Sequence, residues 1–249
     1  MAYGYRVFTK IERPPPALVE RFVEIITPEP GDVMEKAGTP DLADVMQNAG
    51  VVEGAIRPMY QPMPCYCGPA VTVSVPTNSF IVSKMAMGLT EPGDVLVVTA
   101  RGSTDYALLG GNICKGLKRR GLAGMILDGA VRDAEQMQEI GLPVHARGLA
   151  TGFNHGPKGQ GEVNVPISFG RCVVFPGDII VADEQGIVVV PPAYAEEILD
   201  GVAQLIESHA RIQPVLERGE VTNIAAIRQE LKDTKCEFVD TPWRRRTVV

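Results

Sequence analysis

Leu127-Asp128-Gly129-Ala130-Val131-Arg132-Asp133 leaves an apolar strand predicted over residues 123–127 and enters a helix predicted over residues 134–140. A further strand is predicted over residues 144–149, and a helix over residues 111–120 precedes the quoted stretch. Strands and helices therefore alternate along this part of the chain. That alternation predicts an α/β core.

A repeated phrase extends the predicted sheet on both sides of this stretch. Glu91-Pro92-Gly93-Asp94 precedes a near-continuous apolar run over residues 95–98, and Phe175-Pro176-Gly177-Asp178 precedes a similar run over residues 179–182. Pro-Gly marks a turn, and a continuous apolar run is typical of a strand buried on both faces. Both phrases therefore predict a turn that leads into a central strand.

The outer parts of the chain divide into an arm, a core and an extension. Residues 1–34 are rich in proline and lack a sustained period, which predicts an N-terminal arm. Thr39-Pro40-Asp41 supplies an N-cap and a first-turn proline for a short helix ending at Gly50. Residues 35–205 form a single α/β core domain, and a helical C-terminal extension and tail are predicted over residues 206–249.

Composition narrows the classes of partner. The 249 residues are 45% hydrophobic and 22% charged, with a formal charge of -6. This balance lacks the basic excess that binding to a nucleic acid needs. No apolar stretch approaches the roughly 20 residues that span a bilayer, and the first thirty residues lack the apolar core of a signal peptide. The five cysteines are odd in number and scattered along the chain, which suits reduced thiols better than a disulfide framework. We therefore expect a cytoplasmic protein that binds neither nucleic acid nor membrane.

Arg132 and Asp133 follow the central strand directly. Ligands of open α/β sheets collect at the carboxyl ends of strands. The Asp133 carboxylate suits a hard divalent ion such as Mg²⁺ or Mn²⁺, and the planar Arg132 fork suits a carboxylate or an enolate. A plainer alternative is that Asp133 caps the helix while Arg132 pairs with a surface acid, and spacing alone does not decide between them.

A second candidate site begins the helix predicted over residues 111–120. Gly110, Gly111, Asn112 and Ile113 let a ligand approach the backbone, and first-turn amides are free to bind an anion. The alternative is a tight turn followed by a helix whose basic residues are solvated. The spacing fits neither a phosphate loop nor a dinucleotide fingerprint.

The order and spacing of several motifs resemble the RraA-like family, which includes the 4-hydroxy-4-methyl-2-oxoglutarate and 4-carboxy-4-hydroxy-2-oxoadipate aldolases. The resemblance covers roughly residues 35–205. The motifs that carry it are Thr39-Pro40-Asp41-Leu42-Ala43-Asp44, Gly110-Gly111-Asn112-Ile113, Arg120-Gly121-Leu122-Ala123-Gly124, Asp128-Gly129-Ala130-Val131-Arg132-Asp133, Gly161-Glu162-Val163-Asn164-Val165-Pro166 and Pro176-Gly177-Asp178-Ile179-Ile180-Val181-Ala182-Asp183.

This resemblance implies a swivelling β/β/α fold assembled as a homotrimer or homohexamer, with active sites between subunits. It implies that Asp133 binds Mg²⁺ or Mn²⁺ and that Arg132 contacts a pyruvyl group. The backbone of residues 110–113 would hold the substrate carboxylate. Family members known as regulators of ribonuclease E activity lack the aspartate, so its presence here favours metal chemistry.

The implied reaction is a metal-dependent lyase reaction of aromatic catabolism. A 4-hydroxy-2-oxo dicarboxylic or tricarboxylic acid would be cleaved to pyruvate or a related 2-oxo acid, and oxaloacetate would lose CO2 through the same pyruvate enolate. Schiff-base catalysis would need a desolvated lysine, and the segments around Lys84, Lys115 and Lys118 give no sign of one. The alternatives are a non-catalytic protein-binding regulator and a hydratase or tautomerase acting on an unsaturated acid.

One position departs from the aldolase pattern. Gly111 stands where those enzymes often carry an acidic residue, and Asp128, Asp105 or an acid of another subunit could substitute for it. The candidate catalytic residues are therefore Arg132 and Asp128. The C-terminal region does not distinguish among Glu196, Glu207 and Glu217, which could each enter a neighbouring site.

A few remaining residues are weaker candidates. His155 could reach a substrate from its glycine-rich loop, whereas Asp183-Glu184 is more typical of a closed hairpin than of a metal site. Arg244-Arg245-Arg246 could contact an acidic partner, and Trp243 could anchor the tail by burial.

Overall fold

The structure, a computed structural model, describes residues 4–27, 37–76, 80–153, 160–220 and 223–242. The helices are α1 (Pro16–Ile26), α2 (Thr39–Val45), α3 (Phe80–Leu89), α4 (Gly111–Arg119), α5 (Ala134–Ile140), α6 (Ala195–Glu217) and α7 (Ile224–Asp233). The strands are β1 (Arg57–Pro58), β2 (Tyr66–Ser74), β3 (Val95–Thr99), β4 (Ala107–Leu109), β5 (Gly124–Val131), β6 (Val144–Leu149), β7 (Glu162–Val163), β8 (Ile167–Phe169), β9 (Cys172–Val174), β10 (Ile179–Ala182) and β11 (Ile187–Val190). No helix in these ranges is long and apolar enough to cross a membrane.

In the described part of the chain the main sheet has nine strands, and its central order is β1-β6-β5-β3-β2-β10-β11. Strands β2, β3, β5 and β6 are parallel to one another, whereas β1, β10 and β11 run antiparallel to their neighbours. Strand β4 pairs with β5, β7 pairs with β2, and β8 and β9 form a separate hairpin. The predicted α/β class is confirmed. Because β3, β5 and β6 are parallel, their carboxyl ends share one edge of the sheet, where ligands of such folds bind.

The two copies of the repeated phrase fold into the same turn. Asp94 Oδ2 accepts a hydrogen bond from Glu91 N at 2.7 Å, and Asp178 Oδ2 accepts one from Phe175 N at 2.8 Å. The glycine preceding each aspartate has a φ near +90°, which only glycine adopts readily. Every residue of β3 and β10 is buried, so the prediction of buried central strands is confirmed.

Alternate residues of the central strands face two different apolar clusters. In β3, Leu96 and Val98 face the cluster formed with helices α3, α4 and α5, whereas Val95 and Val97 face the cluster formed with β8 and β9. A third cluster joins α1, α2 and the first part of α6 to β10 and β11. Burial of both faces fixes the strand register, since a slip of one residue would exchange the faces.

The N-terminal arm contains a helix that the sequence analysis did not predict. Pro16 begins α1 in the first turn, where proline fits best, and Phe22 and Ile26 are buried one turn apart in the third cluster. Prolines on both sides obscured this short apolar period. Further upstream, Val7 pairs with Val163 beside β7, so the segment before α1 lies along the sheet.

Three element boundaries differ from their predictions. Helix α2 begins at Thr39 with Gly38 as its N-cap, because the Thr39 hydroxyl donates to Asp183 Oδ1 at 2.8 Å instead of capping the helix. Helix α2 also ends at Val45 rather than at Gly50. Strand β5 continues to Val131, since its second half pairs with both β4 and β6.

The chain separates into two compact units, Met1–Ile206 and Glu207–Val249. The second unit contains the end of α6 and the whole of α7. None of the side chains described in residues 207–220 and 223–242 is buried.

Candidate active site

Arg132 and Asp133 lie directly after β5, at the edge where the parallel strands end. Arg132 N donates to Leu109 O at 3.0 Å, which joins this turn to the end of β4. Asp133 adopts a left-handed conformation with a φ of 62° and precedes α5. The two residues line a cavity of about 440 Å³ together with residues 149–151. The strand-end position predicted from the sequence is therefore observed.

Asp133 occupies the N-cap position of α5 without capping that helix. Its side chain makes no capping hydrogen bond, and Oδ2 instead accepts one from Gly111 N at 3.2 Å. The side chain is 38% exposed. The plainer alternative of a capping aspartate is thus not what the geometry shows, and the carboxylate is accessible from the cavity.

Arg132 extends between an aromatic ring and the Asp133 carboxylate. Its guanidinium carbon lies 4.9 Å from the centre of the Phe153 ring, and its Nε lies 3.8 Å from Asp133 Oδ2. Nε is buried and donates to no group in the described part of the chain. An unpaired buried donor carries a desolvation cost of about 1–3 kcal/mol, so a ligand oxygen placed beside it would be stabilising.

The Gly110 to Ile113 turn packs against the same pair. A Cβ on Gly110 would stand 2.7 Å from Asp133 Oδ2 and 3.0 Å from Arg132 Cγ, so only glycine fits without moving the pair. Ile113 N donates to Gly110 O at 3.0 Å, and Gly111 N is bound to Asp133. Asn112 N donates to none of the described groups and is the first-turn amide left for an anion.

Gln136 takes the space beside Gly111 that an acidic side chain would need. A Cβ on Gly111 would stand 2.2 Å from Gln136 Oε1. Gln136 lies three residues after Asp133 and therefore on the same side of α5. Gln136 was not among the residues predicted for the site, although its spacing from Asp133 was the available signal.

The candidate catalytic residue Asp128 belongs to a different set of contacts. It is 6% exposed, and its Oδ1 accepts a hydrogen bond from Arg147 Nε at 2.6 Å. Arg147 also pairs with Glu53, and this hydrogen bond lowers the pKa of the Glu53 carboxyl below its ordinary value. No contact in the described ranges joins Asp128 to Arg132 or Asp133. The structure thus brings together Arg132, Asp133 and the glycine turn, but not Asp128.

A buried histidine forms a second polar group that the sequence analysis did not identify. His145 Nε2 lies 2.9 Å from Asp183 O, and Nδ1 lies 2.8 Å from the Tyr66 hydroxyl. A carbonyl oxygen only accepts, so Nε2 carries the proton and Tyr66 donates to Nδ1. Burial lowers the pKa of His145 to about 4. This neutral histidine joins β6 to the β10–β11 hairpin.

The structure assigns the weaker candidates to a hairpin turn or to the exposed surface. Asp183 accepts hydrogen bonds from the amides of residues 185 and 186 and closes the β10–β11 hairpin, as predicted. Lysines 84, 115 and 118 are all exposed, so none is the desolvated amine that Schiff-base catalysis requires. Asp105 is exposed and pairs with the Ser103 hydroxyl at 3.2 Å.

The remaining candidates are either exposed or outside the described residues. Glu196 is exposed and pairs with Arg21, while Glu207 and Glu217 are exposed in the second unit. The candidates His155, Trp243 and Arg244-Arg245-Arg246 lie outside the described residues.

The donors at this site fit a hard divalent cation. Asp133 offers a carboxylate whose Oδ1 accepts no hydrogen bond from the described residues, and glycine at position 110 leaves room beside it. Mg²⁺ and Mn²⁺ are commonly bound through one or two carboxylates, with water and substrate supplying the other oxygens. No group of three or more His, Cys, Asp or Glu side chains converges within the described ranges.

The fold and this pair define an α/β protein with a candidate ligand site at the carboxyl ends of its parallel strands. Residues 39–189 match the family model for RraA-like proteins, described as Aldolase/RraA. The chain belongs to the RraA-like family. The predicted swivelling β/β/α fold is thereby confirmed.

Some of the relatives are named as aldolases, and some of the similar solved structures are of RraA proteins. A protein of Halalkalibacterium halodurans, provisionally named 4-hydroxy-4-methyl-2-oxoglutarate aldolase, is 34% identical over 165 residues, which cover 66% of this chain and 76% of that protein. The 4-hydroxy-4-methyl-2-oxoglutarate aldolase of Thermus thermophilus is 39% identical over 99 residues, covering 40% of this chain and 60% of the relative. The crystal structure of Streptomyces coelicolor RraAS2, an unusual member of the RNase ES inhibitor RraA family, matches with a TM-score of 0.68 at 25% identity, covering 81% of this chain and 98% of that one.

Proposed function

We propose that this protein is a divalent-metal-dependent lyase of the aldolase type. Its substrate would be a 4-hydroxy-2-oxo dicarboxylic or tricarboxylic acid, cleaved to pyruvate or a related 2-oxo acid. Oxaloacetate decarboxylation would be a side activity. The observation that carries the proposal is the accessible Asp133 carboxylate beside the buried, unpaired Nε of Arg132. Aldolase names among its relatives support the same reaction class.

Asp133 would hold the cation, either Mg²⁺ or Mn²⁺, through its carboxylate. When bound, such an ion supplies Lewis acidity that polarises the keto oxygen of a 2-oxo acid. Gly111 N fixes the carboxylate by donating to Oδ2 at 3.2 Å, so the free Oδ1 is the oxygen directed to ligands.

Arg132 would bind the oxygen on which negative charge develops as the bond between C3 and C4 breaks. Its Nε donor is already desolvated and has no hydrogen-bond partner among the described residues, so it requires little reorganisation when that charge appears. Asn112 N would donate to the C1 carboxylate from the first turn of α4. The three groups together orient a 2-oxo acid with its distal end toward the open cavity.

Leu149 supports the expectation that a second subunit covers this cavity. It lines the cavity wall and is 61% exposed, although it is a large apolar residue. Contact with another copy of the chain would bury it and exclude water from the reaction. The proposed assembly is a homotrimer or homohexamer.

A non-catalytic regulator is the second candidate function. It is favoured by the solved structures of RNA-processing inhibitors that resemble this chain, including RraA of Thermus thermophilus, with a TM-score of 0.57 at 30% identity over 63% of this chain and 94% of that one. This candidate gives Asp133 no role. Variants of Asp133 therefore distinguish the lyase from the regulator.

The decisive experiment measures pyruvate release from 4-hydroxy-4-methyl-2-oxoglutarate and from oxaloacetate with Mg²⁺, with Mn²⁺ and with EDTA. Wild type is compared with Asp133→Asn, which keeps the shape of the side chain but removes its charge. Loss of a metal ligand is expected to reduce kcat/KM by at least about 100-fold. Free metal also decarboxylates oxaloacetate, so the rate measured with the variant serves as the background rate.

Asp44→Asn is the matched control, because Asp44 is an exposed aspartate on α2. It should leave the rate unchanged. Metal-dependent release in wild type that is lost in Asp133→Asn supports the lyase. Equal rates in wild type and Asp133→Asn, both no faster than metal alone, would contradict it and favour the regulator.

A further inference from the structure

The backbone that carries Phe153 is attached to β4 beside the candidate site. Phe153 bridges to Ala107 of β4 in parallel fashion, and Ala107 N donates to Gly152 O at 2.8 Å. Gly152 also lies against Tyr106, since a Cβ on it would stand 3.2 Å from Tyr106 Cδ1. The segment that carries the ring is therefore attached to the strand that borders β5.

Arg132 lies over this ring and is within ion-pair distance of Asp133, but it forms no hydrogen bond with that carboxylate. Its guanidinium carbon is 4.9 Å from the ring centre, within the usual range of a cation–π contact. The distance from Nε to Asp133 Oδ2 is 3.8 Å, which is longer than a hydrogen bond. The two oppositely charged side chains thus form a loose ion pair without a hydrogen bond, at the place where both are proposed to bind ligands.

We infer that Phe153 is a positioning residue that keeps the Arg132 guanidinium from closing onto Asp133. The ring attracts the cation from one side and so competes with the carboxylate for it. Asp133 then remains available to a divalent cation, and Arg132 Nε remains available to a substrate oxygen. This inference rests on the proposed function, because it assigns those two ligands to the pair.

Removal of the ring should allow Arg132 to pair with Asp133. In Phe153→Ala the guanidinium loses its aromatic partner, and a hydrogen-bonded ion pair with Oδ2 becomes its best remaining contact. That pairing competes with cation binding. From the range of cation–π strengths, the affinity for Mn²⁺ should fall on the order of 3- to 30-fold. Phe153→Tyr keeps an aromatic face and should bind Mn²⁺ as wild type does.

The first test is structural and requires neither metal nor turnover. Crystal structures of metal-free wild type and Phe153→Ala give the separation of the guanidinium nitrogens from Asp133 Oδ2. We expect it to shorten in the variant from 3.8 Å to hydrogen-bond distance. An unchanged separation would overturn the inference.

The second test is a double-mutant cycle on Mn²⁺ binding. The electron paramagnetic resonance signal of free Mn²⁺ measures the binding. Phe153→Ala should weaken binding in the wild-type background and have no effect in the Arg132→Ala background, since no guanidinium is left to compete. A merely structural role for Phe153 would weaken binding equally in both backgrounds and would refute the inference.

Phe8→Ala is the matched control. Phe8 is a second phenylalanine with an arginine above it, but that arginine is Arg6, at 5.9 Å, and not the Arg132 of the candidate site. Its removal should leave Mn²⁺ affinity unchanged. If the wild type binds Mn²⁺ but cleaves neither substrate, the proposed reaction is contradicted while the positioning role of Phe153 is not. Failure of the proposed reaction is therefore distinguishable from failure of this inference.

Discussion

Gly110→Ala places a single methyl group against the candidate site. Gly110 has a φ of -152°, an extended conformation that alanine adopts without strain, so the effect comes from the added carbon alone. That carbon would stand 2.7 Å from Asp133 Oδ2, and the carboxylate must move by about 0.7 Å to reach ordinary contact at 3.4 Å. It would also stand 3.0 Å from Arg132 Cγ.

A displacement of this size should impair function more than stability. Misplacement of catalytic groups by about 1 Å can cost 100-fold in rate, so we expect kcat/KM for pyruvate release to fall about 10- to 100-fold. Both side chains are more than a third exposed and can move outward. The thermal midpoint should therefore change by less than about 2 °C.

The matched control is Gly116, which lies in α4, the helix that Gly110 precedes. A Cβ on Gly116 would meet nothing within 4 Å. Gly116→Ala should keep full activity and raise the thermal midpoint slightly, because alanine favours a helix over glycine. The assay is the steady-state rate of pyruvate release, with unfolding followed by circular dichroism. Wild-type kcat/KM in Gly110→Ala would refute the placement of the site.

Two further predictions concern buried polar residues. Because burial lowers the pKa of His145 from 6.5 to about 4, the unfolded chain binds a proton in this window that the folded chain does not. The free energy of unfolding should fall by about 3 kcal/mol as the pH decreases through that window, and His145→Gln should remove this part of the slope in urea titrations. Asp128→Asn should lower the thermal midpoint by weakening the pair with Arg147 while leaving kcat little changed. A large loss of kcat with an unchanged midpoint would instead support a catalytic Asp128.

Local chemistry explains why much of the fold was predictable. The two Pro-Gly-Asp turns depend on residues that lie next to one another, and the apolar runs after them identify buried strands directly. The position of Arg132 and Asp133 followed from a strand followed by a helix, since ligand sites in such folds lie at the carboxyl ends of strands.

Contacts between distant residues explain what the sequence did not reveal. Phe153 reaches Arg132 because its segment bridges to β4, and Asp128 meets Arg147 because β5 and β6 are neighbours. No local pattern encodes either contact. The same holds for Gln136, whose side chain fills the space beside Gly111 only after α4 and α5 have packed.

The central claim is that Asp133 holds a cation beside a 2-oxo acid bound by Arg132. A crystal structure of the wild-type protein with Mn²⁺ and pyruvate tests it most directly, because anomalous scattering locates manganese independently of the refined coordinates. We expect a manganese peak within coordination distance of the Asp133 carboxylate and a pyruvate oxygen beside Arg132 Nε. Manganese bound elsewhere, with Asp133 and Arg132 free of ligand, would contradict the account.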